Sequence, residues 1–123
     1  MSQFSNKAYN LEERTALFAE KIIDLCKSTP KNTVTTPIVD QLIRASSSVG
    51  ANYREANGAS SKKDFKNKIF TCKKEAKETE YWLRLLARAD NRTLEEGRIL
   101  WKEAHELTLI FSKIASSTKL KIE

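Results

Sequence analysis

Residues 61–90 decide the fold, and they read SKKDFKNKIFTCKKEAKETEYWLRLLARAD. Neither glycine nor proline interrupts this stretch. Its apolar and small residues recur at steps of three and four, which is typical of one face of an α-helix. They are Phe65, Ile69, Cys72, Ala76, Thr79, Leu83 and Leu86. Because Ser61 and Asp64 form a capping box at the N-terminal end, the stretch predicts one amphipathic helix, about 43 Å long at 1.5 Å per residue.

The rest of the chain carries similar start and stop signals, which predict three more helices. The signals are the capping pairs Asn10 with Glu13 and Thr93 with Glu96, the break at Ser28–Asn32, Thr36 before Pro37, and Gly58. We therefore expect helices over about residues 10–28, 36–57, 61–90 and 93–117. Residues 119–123 are expected to be frayed, as chain ends commonly are.

Length and composition favour a helical bundle over a sheet protein. The chain has 123 residues, which suits one domain covering residues 1–123. It contains only three glycines and two prolines, too few for the frequent turns of a sandwich or barrel. Short connections place consecutive helices antiparallel. The sequence thus predicts an all-α, up-down-up-down four-helix bundle.

Several absences in the sequence bear on where the protein acts. No stretch approaches the roughly 18 apolar residues of a membrane span, and residues 1–7 do not resemble a secretion signal. Cys26 and Cys72 both lie in helical patterns. We interpret them as reduced thiols of a cytoplasmic protein.

Helices one and four carry more apolar residues than a monomeric bundle requires. Helix one has Leu11, Phe18, Ile22, Leu25, Ile23 and Cys26, and helix four has Leu100, Trp101, Ala104, Leu107, Phe111, Ile114 and Ala115. Leu17, Leu109 and Ile110 add to this surplus. Scattered exposure of such residues is common, but a subunit interface explains them better.

The sequence contains no constellation typical of an enzyme. His105 is the only histidine, and with two distant cysteines it matches no metal-ligand spacing and no nucleophile pair. We expect it to be a packed or half-exposed residue beside Trp101. Glu75 and Glu78 share a helix face, where ion pairs with Lys74, Lys77 and Arg84 are expected. We expect no catalytic residue, metal, cofactor or small-molecule substrate.

Helix three instead has a segregated basic face. On a helical wheel its cations fall between about 80° and 180° from Phe65, and two aromatic residues share that sector. The set is Lys63, Lys66, Lys73, Lys74, Lys77, Arg84 and Arg88, with Phe70 and Tyr81. The net charge is +6. Such a stripe suits phosphate contacts and base stacking. A solvated basic face, an interface role for the two rings, and the weaker case of membrane attachment stay open as alternatives.

Helix two has a second, polar stripe at steps of three and four. It consists of Gln41, Arg44, Ser48, Asn52 and Glu55. These side chains could hydrogen-bond across a helix–helix or subunit boundary and fix its register. Plain exposure to solvent explains the spacing equally well.

The same five residues, in the run Gln41-Leu42-x-Arg44-Ala45-x-x-Ser48-Val49-x-x-Asn52-x-x-Glu55 followed by Asp64-Phe65 and Glu78, carry a family resemblance. The chain resembles the four-helix bundle proteins encoded in intervening sequences of bacterial 23S ribosomal RNA genes, which are often labelled ribosomal proteins. The resemblance implies a homopentamer and a structural or interfacial role for the five motif residues. It also implies kinship with the basic accessory protein of diversity-generating retroelements, which engages nucleic acid and a reverse transcriptase.

Together, the residues and the resemblance favour a non-enzymatic, oligomeric bundle. We expect it to bind RNA or DNA through the helix-three cations, with little sequence specificity. The alternative is a protein–protein adaptor with no direct role for nucleic acid, whose partner would be another protein.

Overall fold

The computed structural model describes residues 10–118, which are helical apart from short connections. The helices are α1 (Leu11–Ser28), α2 (Thr35–Asn57), α3 (Lys62–Ala89) and α4 (Leu94–Ser117), with a single 3₁₀ turn at Asn91–Thr93. No β-strand occurs within residues 10–118. Each predicted helix differs from the observed one by a single residue at one or both ends. The expected fraying of residues 119–123 lies outside the described residues.

The four helices form an antiparallel bundle in which neighbours in sequence are neighbours in space. Glu12, at the start of α1, accepts a 2.8 Å hydrogen bond from Asn57 at the end of α2. Likewise Glu55, late in α2, pairs with Lys68, early in α3. The first helix also packs against the fourth. This is the up-down-up-down arrangement expected when short connections join the helices.

The core lies along the axis of the bundle and takes side chains from all four helices. Its largest fully buried residues are Phe18, Phe111, Ile22, Leu42, Ile69, Leu86, Leu100 and Leu107. Six of the seven predicted α3 positions are buried, and Phe65 packs against the core from its edge. The apolar spacing of residues 61–90 therefore predicts the buried face of α3 correctly.

Two residues expected on core faces are exposed instead, namely Ile23 and Trp101. Each directly follows a buried residue, and a helix turns about 100° from one residue to the next. That rotation carries both side chains out of the core. Of the surplus apolar residues, Leu17 and Ile110 pack against the core, whereas Leu109 is exposed.

Two helix starts follow the predicted capping chemistry. The Asn10 side chain accepts a hydrogen bond from the backbone N–H of Glu13, at 3.1 Å. The Ser61 hydroxyl accepts one from the backbone N–H of Asp64, at 3.0 Å. Each bond satisfies a backbone donor that the first helical turn leaves unpaired.

The other two starts are capped differently from expectation. Thr36 does not cap α2, because Asn32 Oδ1 accepts hydrogen bonds from the N–H groups of Val34 and Thr35, both at 2.9 Å. The helix begins before the predicted cap, with Pro37 inside its first turn, where the missing N–H does no harm. Thr93 precedes α4, but its hydroxyl donates to the Asp90 carbonyl, at 2.7 Å, and caps no N–H.

We expect the two cysteines to be inert towards thiol reagents in the native protein. Cys26 and Cys72 are buried and unbridged, and burial raises their thiol pKa to about 11 and about 12. Because the thiolate is the reactive species, Ellman's reagent at pH 8 should modify both groups only at the rate of unfolding. Chain denatured in urea is the control, and it should react at once. Immediate reaction of the native chain would contradict the buried placement.

Candidate nucleic-acid interface

The predicted basic stripe lies on the outer face of α3, turned away from the core. Five of its cations are exposed and two, Lys66 and Lys73, are half-buried. Its rings Phe70 and Tyr81 are 48% and 54% exposed. The helix places them there because the buried positions recur at steps of three and four, which leaves the intervening sector to solvent. The structure thus brings the predicted cations and rings onto one accessible surface, which we call the α3 basic stripe.

The cations of this stripe are unpaired within the described part of the chain. None of the seven forms an ion pair with a carboxylate of residues 10–118. Lys66 Nζ lies 6.0 Å from the centre of the Phe70 ring, at the limit of a cation–π interaction. Their charge is therefore available to an external anion.

Two acidic residues of α3, Glu75 and Glu78, face away from the stripe and pair across the α2–α3 boundary. Arg44 of α2 bonds to Glu75 at 3.2 Å and also to Glu78. The expected partners Lys74, Lys77 and Arg84 make no such pair. Both carboxylates lie on the flank of α3 that faces α2, where the long side chain of Arg44 reaches them. Glu78 also accepts a 2.8 Å hydrogen bond from Trp82 Nε1.

The polar stripe of α2 follows this same boundary. Gln41 Oε1 accepts a 2.8 Å hydrogen bond from Arg44 Nε, which orients the guanidinium towards α3. In the last turn of α2, Glu55 pairs with Lys68 at 2.6 Å and raises the pKa of that lysine. The Asn52 side chain donates to the Ser48 carbonyl, at 2.9 Å. Gln41, Arg44 and Glu55 thus contribute to the α2–α3 boundary, while Asn52 bonds within its own helix.

His105 belongs to α4 and faces Glu80 of α3. Its ring stacks on Trp101, with 5.1 Å between centroids and 9° between planes. Its Nδ1 is 3.3 Å from Glu80 Oε2, and the same oxygen accepts a 3.0 Å hydrogen bond from the Thr108 hydroxyl. The histidine therefore belongs to a polar contact between α3 and α4, as a half-exposed neighbour of Trp101.

One buried charged cluster escaped the sequence analysis. Arg14 donates to Glu103 through Nε, at 2.7 Å, and through Nη2, at 2.8 Å, and Nη2 also reaches Glu106. Arg14 and Glu103 are each only 3% exposed, and the carboxylates raise the pKa of Arg14. The sequence does contain a signal for this cluster. Arg14 and Glu103 each interrupt the apolar stripe of their helix at a core position, and their charges have opposite signs.

The described residues offer no sign of a metal centre or of a membrane span. No group of three or more potential metal ligands occurs in residues 10–118. In the same residues, no helix has the length and hydropathy needed to cross a bilayer.

Comparison with known proteins places this bundle in a family. The family described as "23S rRNA-intervening sequence protein" matches residues 7–113. A protein of unknown function from the S23 ribosomal protein family of Bacteroides thetaiotaomicron VPI-5482, known from a crystal structure, is 33% identical in sequence to this chain. The match covers 86% of this chain and 98% of that one, with a TM-score of 0.76. A search of curated proteins gives no match. The chain belongs to the 23S rRNA-intervening sequence protein family.

Proposed function

We propose that this protein is a non-enzymatic, cytoplasmic homo-oligomer that binds RNA or DNA through the α3 basic stripe. The observation that carries the proposal is a row of seven cations that no carboxylate of the described residues neutralises. From Lys63 to Arg88 the row spans about 38 Å at 1.5 Å per residue. The phosphates along a nucleic-acid strand complement such a row in charge.

The chemistry of the stripe argues for contacts with the backbone of the nucleic acid and not with base edges. The stripe lies on one straight helix and presents mostly lysines, which act as point charges. Exposed Phe70 and Tyr81 add ring faces, on which any base stacks without regard to its identity. Binding with little sequence specificity follows from both features.

We further propose that five copies assemble. Apolar side chains left exposed on the bundle support self-association, among them Ile23, Ile99 and Leu109. Five copies would carry a charge of about +30, which would raise the local concentration of nucleic acid around each stripe. A cytoplasmic setting is supported by the two unbridged cysteines.

Charge reversal of the stripe tests the proposal. We expect Lys66→Glu, Lys73→Glu and Lys77→Glu, combined in one variant, to weaken binding of a single-stranded RNA at least tenfold, because three phosphate contacts become repulsive. Fluorescence anisotropy with a labelled RNA and a labelled DNA duplex measures the affinity. Unchanged binding of both would refute the role of the stripe.

The matched control reverses three lysines elsewhere, namely Lys21 and Lys27 of α1 and Lys113 of α4. It changes the net charge by the same amount but leaves the stripe intact, so we expect a much smaller loss of affinity. Native mass spectrometry of both variants and of the parent chain should give five copies in each case. A monomeric parent would remove the assembly from the proposal and leave the stripe to be judged alone.

An adaptor function is the second candidate, and the exposed apolar side chains of α4 favour it. In that case the oligomer would present these side chains to another protein, and the cations of the stripe would be a solvated surface. The anisotropy experiment separates the two functions, because an adaptor would bind neither nucleic acid even at low salt.

A further inference from the structure

A groove of about 490 Å³ opens between the C-terminal half of α3 and the N-terminal half of α4. Its floor is apolar and includes Leu83, Leu94 and the ring of Trp101. Trp101 is 38% exposed and Leu94 is 45% exposed, although large apolar side chains such as these are often buried in a core. The groove therefore offers an aromatic surface that nothing in the described residues covers.

Gly97 explains why this groove is open. Its backbone is buried, yet a Cβ added there would meet no atom within 4 Å. It lies one helical turn before Trp101, while His105 stacks on the indole from one turn after it. One side of the indole is thus occupied, and the space where a side chain at position 97 would project is empty. Glycine weakens a helix relative to alanine. At position 97 it therefore lowers helix stability, but it leaves a slot beside Trp101.

Three cations surround this apolar slot. Arg84, Arg98 and Lys102 line the groove, and none of them pairs with a carboxylate of residues 10–118. Arg84 belongs also to the α3 basic stripe, so the groove lies directly beside the C-terminal part of the stripe. An occupant should therefore combine a flat apolar body with negative charge on either side.

We propose that the groove receives an unstacked base of a single-stranded nucleic acid, which stacks on Trp101 while its flanking phosphates bind Arg84, Arg98 and Lys102. This inference rests on the proposed function and assigns it a substrate class. A duplex keeps its bases paired and stacked inside the helix, so it can contact the stripe but cannot fill the slot. Stacking on one aromatic ring with cations around it is a common arrangement for single strands.

Tryptophan fluorescence tests this directly, because the chain has only two tryptophans. In a Trp82→Phe background, Trp101 is the only tryptophan and can be excited apart from the three tyrosines. We expect a single-stranded oligothymidylate of about 12 nucleotides to quench its emission. The corresponding duplex should bind without quenching. Trp101→Ala should weaken binding of the single strand about 5- to 100-fold. Gly97→Leu places a side chain in the slot, where its Cβ would meet no atom within 4 Å, and should abolish quenching while the stripe still binds.

Anisotropy measured in parallel with labelled oligonucleotides separates the possible failures. Binding without any quenching of Trp101 would overturn the groove assignment and leave the proposed function intact, whereas absence of binding would overturn both. Equal quenching in the Gly97→Leu variant would also overturn the assignment. So would a Trp101 emission that depends on protein concentration alone, because a second copy would then cover the groove. Arg98 and Lys102 are both exposed, and Arg98→Glu combined with Lys102→Glu should likewise weaken binding of the single strand.

Discussion

Replacing Arg14 by methionine should lower the free energy of unfolding by about 3–5 kcal/mol, the usual penalty for removing one partner of a buried ion pair. Arg14 donates to both oxygens of Glu103, at 2.7 and 2.8 Å, and each residue is 3% exposed. Without the guanidinium, the Glu103 carboxylate stays buried with no counter-charge and no hydrogen-bond donor in its place. Urea unfolding followed by circular dichroism measures the loss.

The matched control is Arg54→Met, which removes the arginine of an ion pair between α2 and α1. Arg54 also pairs with a glutamate, Glu12, but at 3.5 Å and with side chains that are 61% and 40% exposed. Exposed pairs contribute about 0–1 kcal/mol, so this variant should unfold almost as the parent does. If Arg14→Met were as mild as Arg54→Met, the cluster would be hydrated and not part of the core.

A double variant distinguishes the loss of an ion pair from the loss of packing. Arg14→Met combined with Glu103→Leu removes both charges and keeps most of the buried volume. Replacement of a whole buried pair by apolar residues is often neutral or stabilising. We therefore expect the double variant to recover most of the stability lost by Arg14→Met. Failure to recover would mean that the shape of the arginine side chain matters more than its charge.

The fold could be predicted from the sequence because its signals are local. The spacing of Ile69, Cys72 and Ala76 marks the buried face of α3 without knowledge of any other helix. The caps at Asn10 and Ser61 likewise depend on residues three positions apart. The cap of α2 was missed because Asn32 acts from a turn that precedes the helix, whereas the Thr36–Pro37 pair points to a later start.

The pairings between helices could not be predicted in the same way, because they depend on the register between elements distant in sequence. Glu75 and Glu78 have lysines nearby on their own helix, yet Arg44, more than thirty residues away, is their partner. In the sequence, Arg14 and Glu103 each appear as a single charged residue within an apolar stripe. Only the antiparallel packing of α1 against α4 brings the two charges together and makes each acceptable in the core.

The groove beside Trp101 depends on the same kind of register. The sequence places Trp101 on the broad apolar face of α4 and marks Gly97 as a weak point in its first turn. Neither feature implies a slot until α3 supplies Leu83 and Arg84 across from them. Gly97 has a low helix propensity and empty space beside it. It can therefore be recognised as part of a candidate site only when the packing of α3 against α4 is known.

The affinity for a short single-stranded RNA should fall about 10²- to 10³-fold between 50 mM and 200 mM monovalent salt. Each phosphate neutralised on a single strand contributes about 0.7 to the slope of log K against log salt. Five to seven contacts along the α3 basic stripe then give a slope of about −3.5 to −5. Anisotropy titrations at several salt concentrations measure it, with an RNA short enough to contact one stripe.

The slope also tells which surface carries the binding. In the Lys66, Lys73 and Lys77 charge-reversal variant it should become shallower by about 2, because three phosphate contacts of about 0.7 each are lost. Trp101→Ala should reduce affinity and leave the slope unchanged, since stacking releases no counterions. A slope near zero in the parent chain would mean that nucleic acid, if bound, is held by apolar or hydrogen-bonding contacts. In that case the unpaired cations of α3 would serve solubility, and the exposed apolar side chains of α4 would become the stronger indication of function.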